Sequence, residues 1–393
     1  MTVPTPDEPH NTEPPASAVV HPASAAAAVS ESAQPSVSVV VLAYGAEEYL
    51  AECIAALLAV QPVPQIVLVD NGATAAVDAL EPHPAVTILR PEQNLGFSGG
   101  CNLGAAATAG DVIVFVNSDV VIAPDALREL SEQVSQPGVG LASGRVLLGA
   151  EPDRVNSVGN PIQFLGFSWS GSMGDLASAH TKPKTIAGVC GATFGVRRAV
   201  WFELGGFDPI FFAYCEDMDL SLRTWQRGYS VQFVPSAICW HWHDFGRHPR
   251  KMYLLERNRL ICLLTIYEPR TLALIAPIAL VVEAGVMVAA IRDGWAKQKW
   301  AGWVWIVRHR SELAARHRRI QSARVRSDAQ LAPLLQAPID PPPGFGMTVP
   351  PILNRLLSAD WRRITHQLMQ SAPPRTKRAP RIYRRVPTTT DSL

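Results

Sequence analysis

Basic residues are missing where a secretory leader would need them. Residues 1–35 hold four acids and no Lys or Arg, and their Pro, Ala and Ser break up any apolar core, so no secretory signal is expected. The same stretch has too little bulky apolar surface to offset the entropy of ordering, which predicts a disordered tail. Paired cysteines are missing as well. Cys53, Cys101, Cys190, Cys215, Cys239 and Cys262 lie far apart with no CxxC among them, which excludes a zinc knuckle or a secreted disulfide framework. A reduced, cytoplasmic protein with buried thiols is the simpler expectation. Two nucleotide signatures are also absent: no GxGxxG follows the first strand-like run, and no Gly-Lys-Ser/Thr closes a P-loop. Simple NAD or ATP binding is therefore disfavoured. Net charge is nearly absent too, at +1, but the balance is uneven. Lys+Arg against Asp+Glu is 16 against 28 over residues 1–291 and 19 against 6 over 292–393, which points to an anionic surface as partner of the basic end.

What is present begins at residue 37, where the character changes. Residues 37–44 form a β-branched apolar run of the kind that fills a central parallel strand. The pattern then predicts a helix over 47–60, strands over 65–70 (QIVLVD) and 86–90, a helix over 99–108, a strand over 111–117 (DVIVFVN) and a helix over 124–133 opened by Pro124. This alternation predicts βαβ units in a doubly wound, mostly parallel sheet. Ligands bind beyond the carboxyl ends of such strands, which directs attention to Tyr44, Asp70, Asn71, Arg90 and residues 117–119. Residues 150–185 are rich in Gly, Ser, Asn and Trp without periodicity and read as a long loop or short hairpin. Strands are expected at 186–196 and 229–234, with a helix at 217–227 between them.

Four groups could carry chemistry. Asn117-Ser118-Asp119 follows an apolar strand, where a carboxylate can hold a hard cation beside a diphosphate; the same three residue types equally favour a plain turn. Glu216-Asp217-Met218-Asp219 places three acids in four residues behind an aromatic run. They could cap a helix, or an apolar wall could raise one carboxylate's pKa enough to make it a general base. His241 and His243, two apart on a strand, point the same way and could complete a metal site with Asp119, or simply pack. Glycines in RPEQNLGFSGGCNLG (90–104) would let a backbone approach a ligand closely at a helix N-terminus that attracts phosphate.

Taken in order, VSVVVLAYG (37–45), VDNG (69–72), NLGFSGGCNLG (94–104), FVNSD (115–119), GATFGVRR (191–198), GGFDPIFFAYCEDMDLSLRTWQRGY (205–229) and LLERNRL (254–260) resemble glycosyltransferase family 2, in particular its rhamnosyltransferase-like members. The resemblance covers roughly residues 37–265. It implies a GT-A fold, an α/β nucleotide-sugar-binding domain with a mixed, mostly parallel sheet, over residues 36–267. It also implies residue roles. Asp70 would contact base or ribose, with Tyr44 and Asn71 shaping that pocket and Arg90, Asn94 and Asn102 near the donor. Asp119 would bind Mn2+ or Mg2+ on the diphosphate, with His241, or His243 as second choice, completing the shell. Asp217 would be the catalytic base, with Glu216 turned toward the acceptor. Asn117 stands where the family's Asp-x-Asp motif has its first acid, which keeps a carbonyl ligand but lowers the charge of the site.

These roles imply an inverting, metal-dependent hexosyltransferase. It would take a dTDP-sugar or UDP-sugar, with L-rhamnose as first guess, and act on a glycan or lipid-linked acceptor in cell-envelope polysaccharide synthesis. A homo-oligomer is compatible with this, and no nucleic-acid partner is expected. Two rival readings are a catalytically weak nucleotide-sugar-binding or scaffold protein, motivated by Asn117, and a nucleotidyltransferase, whose Gly-rich, Lys/Arg-bearing loop after the first strand is absent. Residues 268–330 are read as an apolar and basic helical region that associates with a membrane, and 331–393 as a Pro-rich and basic tail. The apolar run 272–291 has the length of a span (~20 residues), but Pro277, Glu283 and Gly285 interrupt it, and arginines at 308–326 follow it. A single crossing would put the catalytic domain and these arginines on opposite sides, against the positive-inside rule. The expectation is attachment at the cytoplasmic face of the plasma membrane, peripheral or re-entrant, with a buried helical pair as the alternative.

Overall fold

The computed structural model describes residues 34–242, 250–342 and 349–370. The expected tail over 1–35, His243, and the basic residues 375–385 lie wholly or almost wholly outside that range. Three β-branched runs come first: β1 (Val37–Ala43), β2 (Gln65–Asp70) and β3 (Val86–Leu89), connected through helices α1 (Leu50–Leu58) and α2 (Thr74–Asp78). Helix α3 (Gly96–Ala106) leads to β4 (Val112–Asn117) and, two residues on, β5 (Val120–Ile122). Helix α4 (Ala126–Ser135), β6 (Val139–Leu148), β7 (Val155–Ser157), β8 (Lys184–Thr185), β9 (Thr193–Arg197), α5 (Arg198–Leu204), α6 (Glu216–Gln226) and β10 (Ser230–His241) complete the sheet region.

The strands lie in the order β3-β2-β1-β4-β9-β6-β10-β5, with β7 beside β6 and β8 beside β10. Pairing is parallel from β3 to β4 and between β6 and β10, and antiparallel at β9 and β5. This is a mixed, mostly parallel sheet with helices packed against it. Strands β1, β2 and β4 are buried almost throughout, which is why their sequences are continuous apolar runs rather than alternating ones.

Three elements differ from the sequence expectation. Of the stretch read as one strand over 186–196 only the end is strand, in β9 (Thr193–Arg197), while the two-residue β8 stops just before it at Thr185. Strand β6, near the middle of the sheet, falls where the pattern looked loose. Its sequence VGLASGRVLL carries small residues because neighbours press on them: a Cβ at Gly140 would sit 2.4 Å from Thr224 Cγ2. Strand β10 does not end at a Pro-Ser turn but continues past Pro235 and Ser236, which form an irregularity between Val234 and Ile238.

Beyond the sheet, α7 (Lys251–Ile266), α8 (Pro269–Arg292), α9 (Ala296–Arg308), α10 (Arg310–Ser322), the short α11 (Asp328–Leu331) and α12 (Pro351–Gln370) form a helical layer. Its apolar core takes in Phe164, Phe211, Ile261, Leu357 and Ile364. Helix α12 lies in the stretch read as a tail, and its Trp361 stacks on Phe164 with ring centroids 4.6 Å apart. The six cysteines are all free thiols, five of them buried. Burial pushes each thiol's pKa up, that of Cys190 to about 12, so none is a ready nucleophile.

Candidate active site

The turn after β4 and the end of β10 meet because β5 starts directly after Asp119 and pairs antiparallel with β10, Val120 facing His241. The Trp242 N–H donates to the Asp119 carbonyl at 3.0 Å. This register brings Asp119 Oδ1 to 3.2 Å from His241 Nε2, both side chains being buried. On the other side of the ring, His241 Nδ1 lies 3.2 Å from Asn156 Oδ1. When Nδ1–H donates to that carbonyl oxygen, Nε2 faces the carboxylate, an arrangement that either a proton on Nε2 or a metal ion between the two satisfies. Two ligand atoms bound cis to an octahedral ion at about 2.1 Å would be about 3.0 Å apart, so the observed spacing fits such an ion. Among the described residues no cluster of three or more His, Cys, Asp or Glu gathers. The pair would therefore supply two ligands and leave the rest to water and substrate oxygens, as Mg2+-like ions prefer. Glu47 is buried close by and accepts a hydrogen bond from the Tyr44 N–H at 2.8 Å.

A second group sits at the ends of β1 and β2. Asp70 Oδ1 accepts from the backbone N–H groups of Gly72 (3.3 Å) and Ala73 (2.8 Å), and Arg90 Nη1 reaches Asp70 Oδ2 at 3.0 Å. Asn71 is buried. It donates to Asn94 Oδ1 at 2.9 Å and accepts from the Leu95 N–H at 2.8 Å, fastening the Gly-rich segment to the strand end. Tyr44 stands beside them 45 % exposed, an aromatic face open to a ligand. Asn117 ends β4 half-buried.

The acid pair opens α6, directly behind a strained loop. Phe212, Tyr214 and Cys215 all have positive φ (63°, 70° and 67°) without being glycine, a conformation that persists only when the surroundings enforce it. Helix α7 enforces it. Asn258 Nδ2 donates to the carbonyls of Phe211, Ala213 and Tyr214 at 2.8–2.9 Å, and Arg257 donates to those of Ile210 and Phe211. The bent loop thereby sets Glu216 and Asp217 at the start of α6. Asp217 Oδ2 accepts from Asn160 Nδ2 and the Gly191 N–H, each at 3.2 Å, and Oδ1 from the Met218 N–H at 2.7 Å. Burial holds the Asp217 carboxyl above the usual aspartate range, only partly offset by these donors. Burial, and then the charge of Asp217, push Glu216 well above the usual range, and its Oε2 is buried without a partner among the described residues. Asp219 differs. Burial alone would raise its pKa, but Arg316 and Arg223 more than offset that and hold it below the usual range. It braces the fold and stays charged.

Some residues singled out by sequence have other occupations. Asn102 donates to the Phe207 carbonyl at 2.8 Å and accepts from its N–H at 3.0 Å, so its amide braces the chain before the strained loop. The close approach at the glycines of α3 is made by the protein itself. A Cβ at Gly96 (φ +69°) would lie 2.4 Å from the Phe212 carbonyl oxygen, which already accepts from the Ser98 N–H at 3.0 Å; one at Gly104 would lie 2.4 Å from Val40. The N-terminus of α3 thus holds the loop that leads to the acids. Sequence reasoning missed Glu47, Asn156 and Asn160. Glu47 had a weak signal, an acid just past the first strand; the two asparagines, in an aperiodic stretch, had none.

The profile of Glycosyl transferase family 2 matches residues 38–204. That stretch, less than half of the chain, is similar to that family. The family 2 match runs from β1 through α5 and stops before Glu216, Asp217 and His241. An N-acetylglucosaminyl-diphospho-decaprenol L-rhamnosyltransferase of Mycobacterium tuberculosis is 28 % identical over 239 residues, covering 54 % of this chain and 78 % of the relative. A pre-mycofactocin glycosyltransferase of the same organism is 25 % identical over 183 residues, covering 46 % of this chain and 37 % of the relative. The crystal structure of GalNAc-T7 with UDP, GalNAc and Mn2+ superposes with a TM-score of 0.52 at 16 % identity, over 61 % of this chain and 49 % of that one. The chain thus spans about half the length of that structure and shares its fold.

Proposed function

We propose that this chain transfers a sugar from a nucleoside diphosphate to an acceptor hydroxyl with inversion at the anomeric carbon. The observation that carries the proposal is the short segment around β7. Its Asn156 meets His241 and its Asn160 meets Asp217, so one stretch of chain ties the Asp119–His241 pair to the acid pair. In this reading Asp70, Asn71, Tyr44 and Arg90 hold the nucleoside, with Asn94 and Asn117 lining the donor side and Asn102 acting only through the Phe207 loop. Asp119 and His241 would hold Mn2+ or Mg2+, and a bound ion stabilises charge on a departing diphosphate. Asp217, its proton affinity raised by burial, takes the acceptor proton at a carboxylate oxygen, and Glu216 orients the acceptor. One displacement with one base inverts the sugar.

L-rhamnose from dTDP is the first choice of donor, supported by the named activity of the mycobacterial relative; a UDP-hexose or a galactofuranose follows. That relative's name also supports a lipid-linked acceptor, which suits a place in cell-envelope polysaccharide synthesis at the cytoplasmic face of a membrane. The test is titration calorimetry with dTDP and UDP, each with and without Mn2+, followed by transfer assays and determination of the product anomer by NMR. Metal-dependent binding of one nucleotide and an inverted product are expected; a retained anomer overturns the mechanism. Asn117 and the two-residue ligand set favour a second reading, a nucleotide-sugar-binding protein with weak turnover. Nucleotide binding with transfer that Asp217→Asn leaves unchanged would select it.

A further inference from the structure

Helix α8 inverts the usual pattern of a surface helix, and the inversion assigns it a partner. Between residues 273 and 291 its only polar side chain is Glu283, and that one is turned inward. Glu283 pairs with Arg259 of α7 and with Lys299 of α9 (2.7 Å), and accepts from Trp303 Nε1 at 2.8 Å; Glu256 joins the same two cations. The outward face consists of Ala273, Ala276, Leu280, Val281, Val288 and Ile291, at helical spacing and all exposed, Leu280 to 71 % and Val288 to 67 %. At 1.5 Å per residue this unbroken apolar stripe is about 27 Å long. A stripe of that length facing water marks a contact surface.

We propose that this face docks the protein on an anionic lipid bilayer, with α8 lying in the plane of the interface rather than crossing it. A crossing is opposed by the quartet of Glu256, Arg259, Glu283 and Lys299, which fastens α8 to α7 and α9; withdrawing the helix would strand Glu283 and leave Arg259 and Lys299 to share Glu256 alone. A bilayer is favoured over a protein by the charge around the stripe. Exposed Arg270 and Arg292 mark its two ends, and exposed Lys297 and Trp300 follow on α9. Beside the Leu272 end lies a groove of about 400 Å3 whose apolar wall includes Leu264, Ile306 and Leu313 and whose rim carries Arg310, His317 and Arg318. Apolar floor and cationic rim together match acyl chain and phosphate headgroup. A second copy meeting the same face about a two-fold axis would bring like-charged rims together. The basic stretch 308–326 divides accordingly: Arg316, Arg324 and Arg326 turn inward to protein partners, while Arg308, Arg310, Arg318 and Arg319 stay exposed.

This inference stands apart from the chemistry proposed above, since membrane binding and nucleotide binding are measured separately. The full chain is floated with vesicles of phosphatidylcholine alone and of phosphatidylcholine mixed with phosphatidylglycerol. Flotation with the mixed vesicles is expected. Leu280→Glu combined with Val288→Glu should reduce it about tenfold or more, with nucleotide binding and melting temperature unchanged. Should the double variant melt early, Leu280→Glu alone repeats the measurement at the more exposed position. Arg310→Gln with Arg318→Gln should weaken binding to the anionic vesicles only. Failure of the native chain to float, or undiminished flotation of a folded stripe variant, overturns the proposal. So does a light-scattering mass that falls in the stripe variant while vesicle binding stays absent, which assigns the face to a second copy.

Discussion

The sheet and the helical layer are held by different physics. Around β1, β2 and β4 the core is made of Val, Ile and Leu with few polar groups. From α6 to α11 the packing runs through buried charge: Arg316 spans Asp208 and Asp219, Arg259 and Lys299 span Glu256 and Glu283, and Arg324 meets Asp328. Apolar packing tolerates substitution of similar volume, whereas a buried ion pair accepts one geometry and penalises the loss of either partner. Asp70 and Asn71, at the end of β2, rest on the first kind of structure. The acid pair and its strained loop depend on the second, through Arg257 and Asn258 as well as Arg223 and Arg316.

This contrast can be broken at its strongest point. Arg316→Leu leaves Asp208 and Asp219 short of a buried partner and should cost about 3–5 kcal/mol of stability, read by chemical denaturation; a loss no larger than that of an apolar truncation would erase the distinction. Asp217→Asn should lower kcat by about 10²–10⁴-fold with nucleotide affinity retained. Because burial holds the Asp217 pKa above its usual value, activity should fall with decreasing pH at a higher pH than an ordinary aspartate would give. Asn160→Ala removes a donor to the ionised form, so it should move that limb to higher pH still; a limb that moves down refutes the base assignment.

The next effect has the opposite sign. The folded-state pKa of Glu216 is raised, so the native state holds its proton more tightly than the unfolded chain, and stability falls as pH rises from the ordinary glutamate value through the raised one. Glu216→Gln removes that penalty and should stabilise the protein by roughly 1–2 kcal/mol at neutral pH while impairing transfer. A melting temperature that drops would contradict the placement of Glu216 in an unpaired, buried position. The smallest effect belongs to the sheet: Ile113→Val should cost about 0.5–1.5 kcal/mol and leave the pH profile untouched.

Legibility followed the same division. QIVLVD reads as a strand over residues 65–70 and is β2 with those bounds, because a strand buried on both faces has to be a continuous apolar run. The ten residues of β6 escaped because Gly140, Ser143, Gly144 and Arg145 dilute the signal, and the two glycines are there because Thr224 and Ala237, distant in sequence, press against them. The candidate site was legible where strand ends and the acid run mark it. It was not legible at Asn156 and Asn160, which become partners of His241 and Asp217 only when β7 lies along β6.

By itself the sequence determined the alternating α/β architecture and the acids and histidine with chemistry to offer, because periodicity, turn residues and carboxylate runs are local properties. Tertiary structure alone decided the rest. It chose which acids are charged braces and which have their proton affinity raised by burial, since a pKa depends on neighbours tens to hundreds of residues away. It turned Glu283 inward and left the apolar face of α8 outward, because only packing against α7 and α9 tells the two sides of that helix apart.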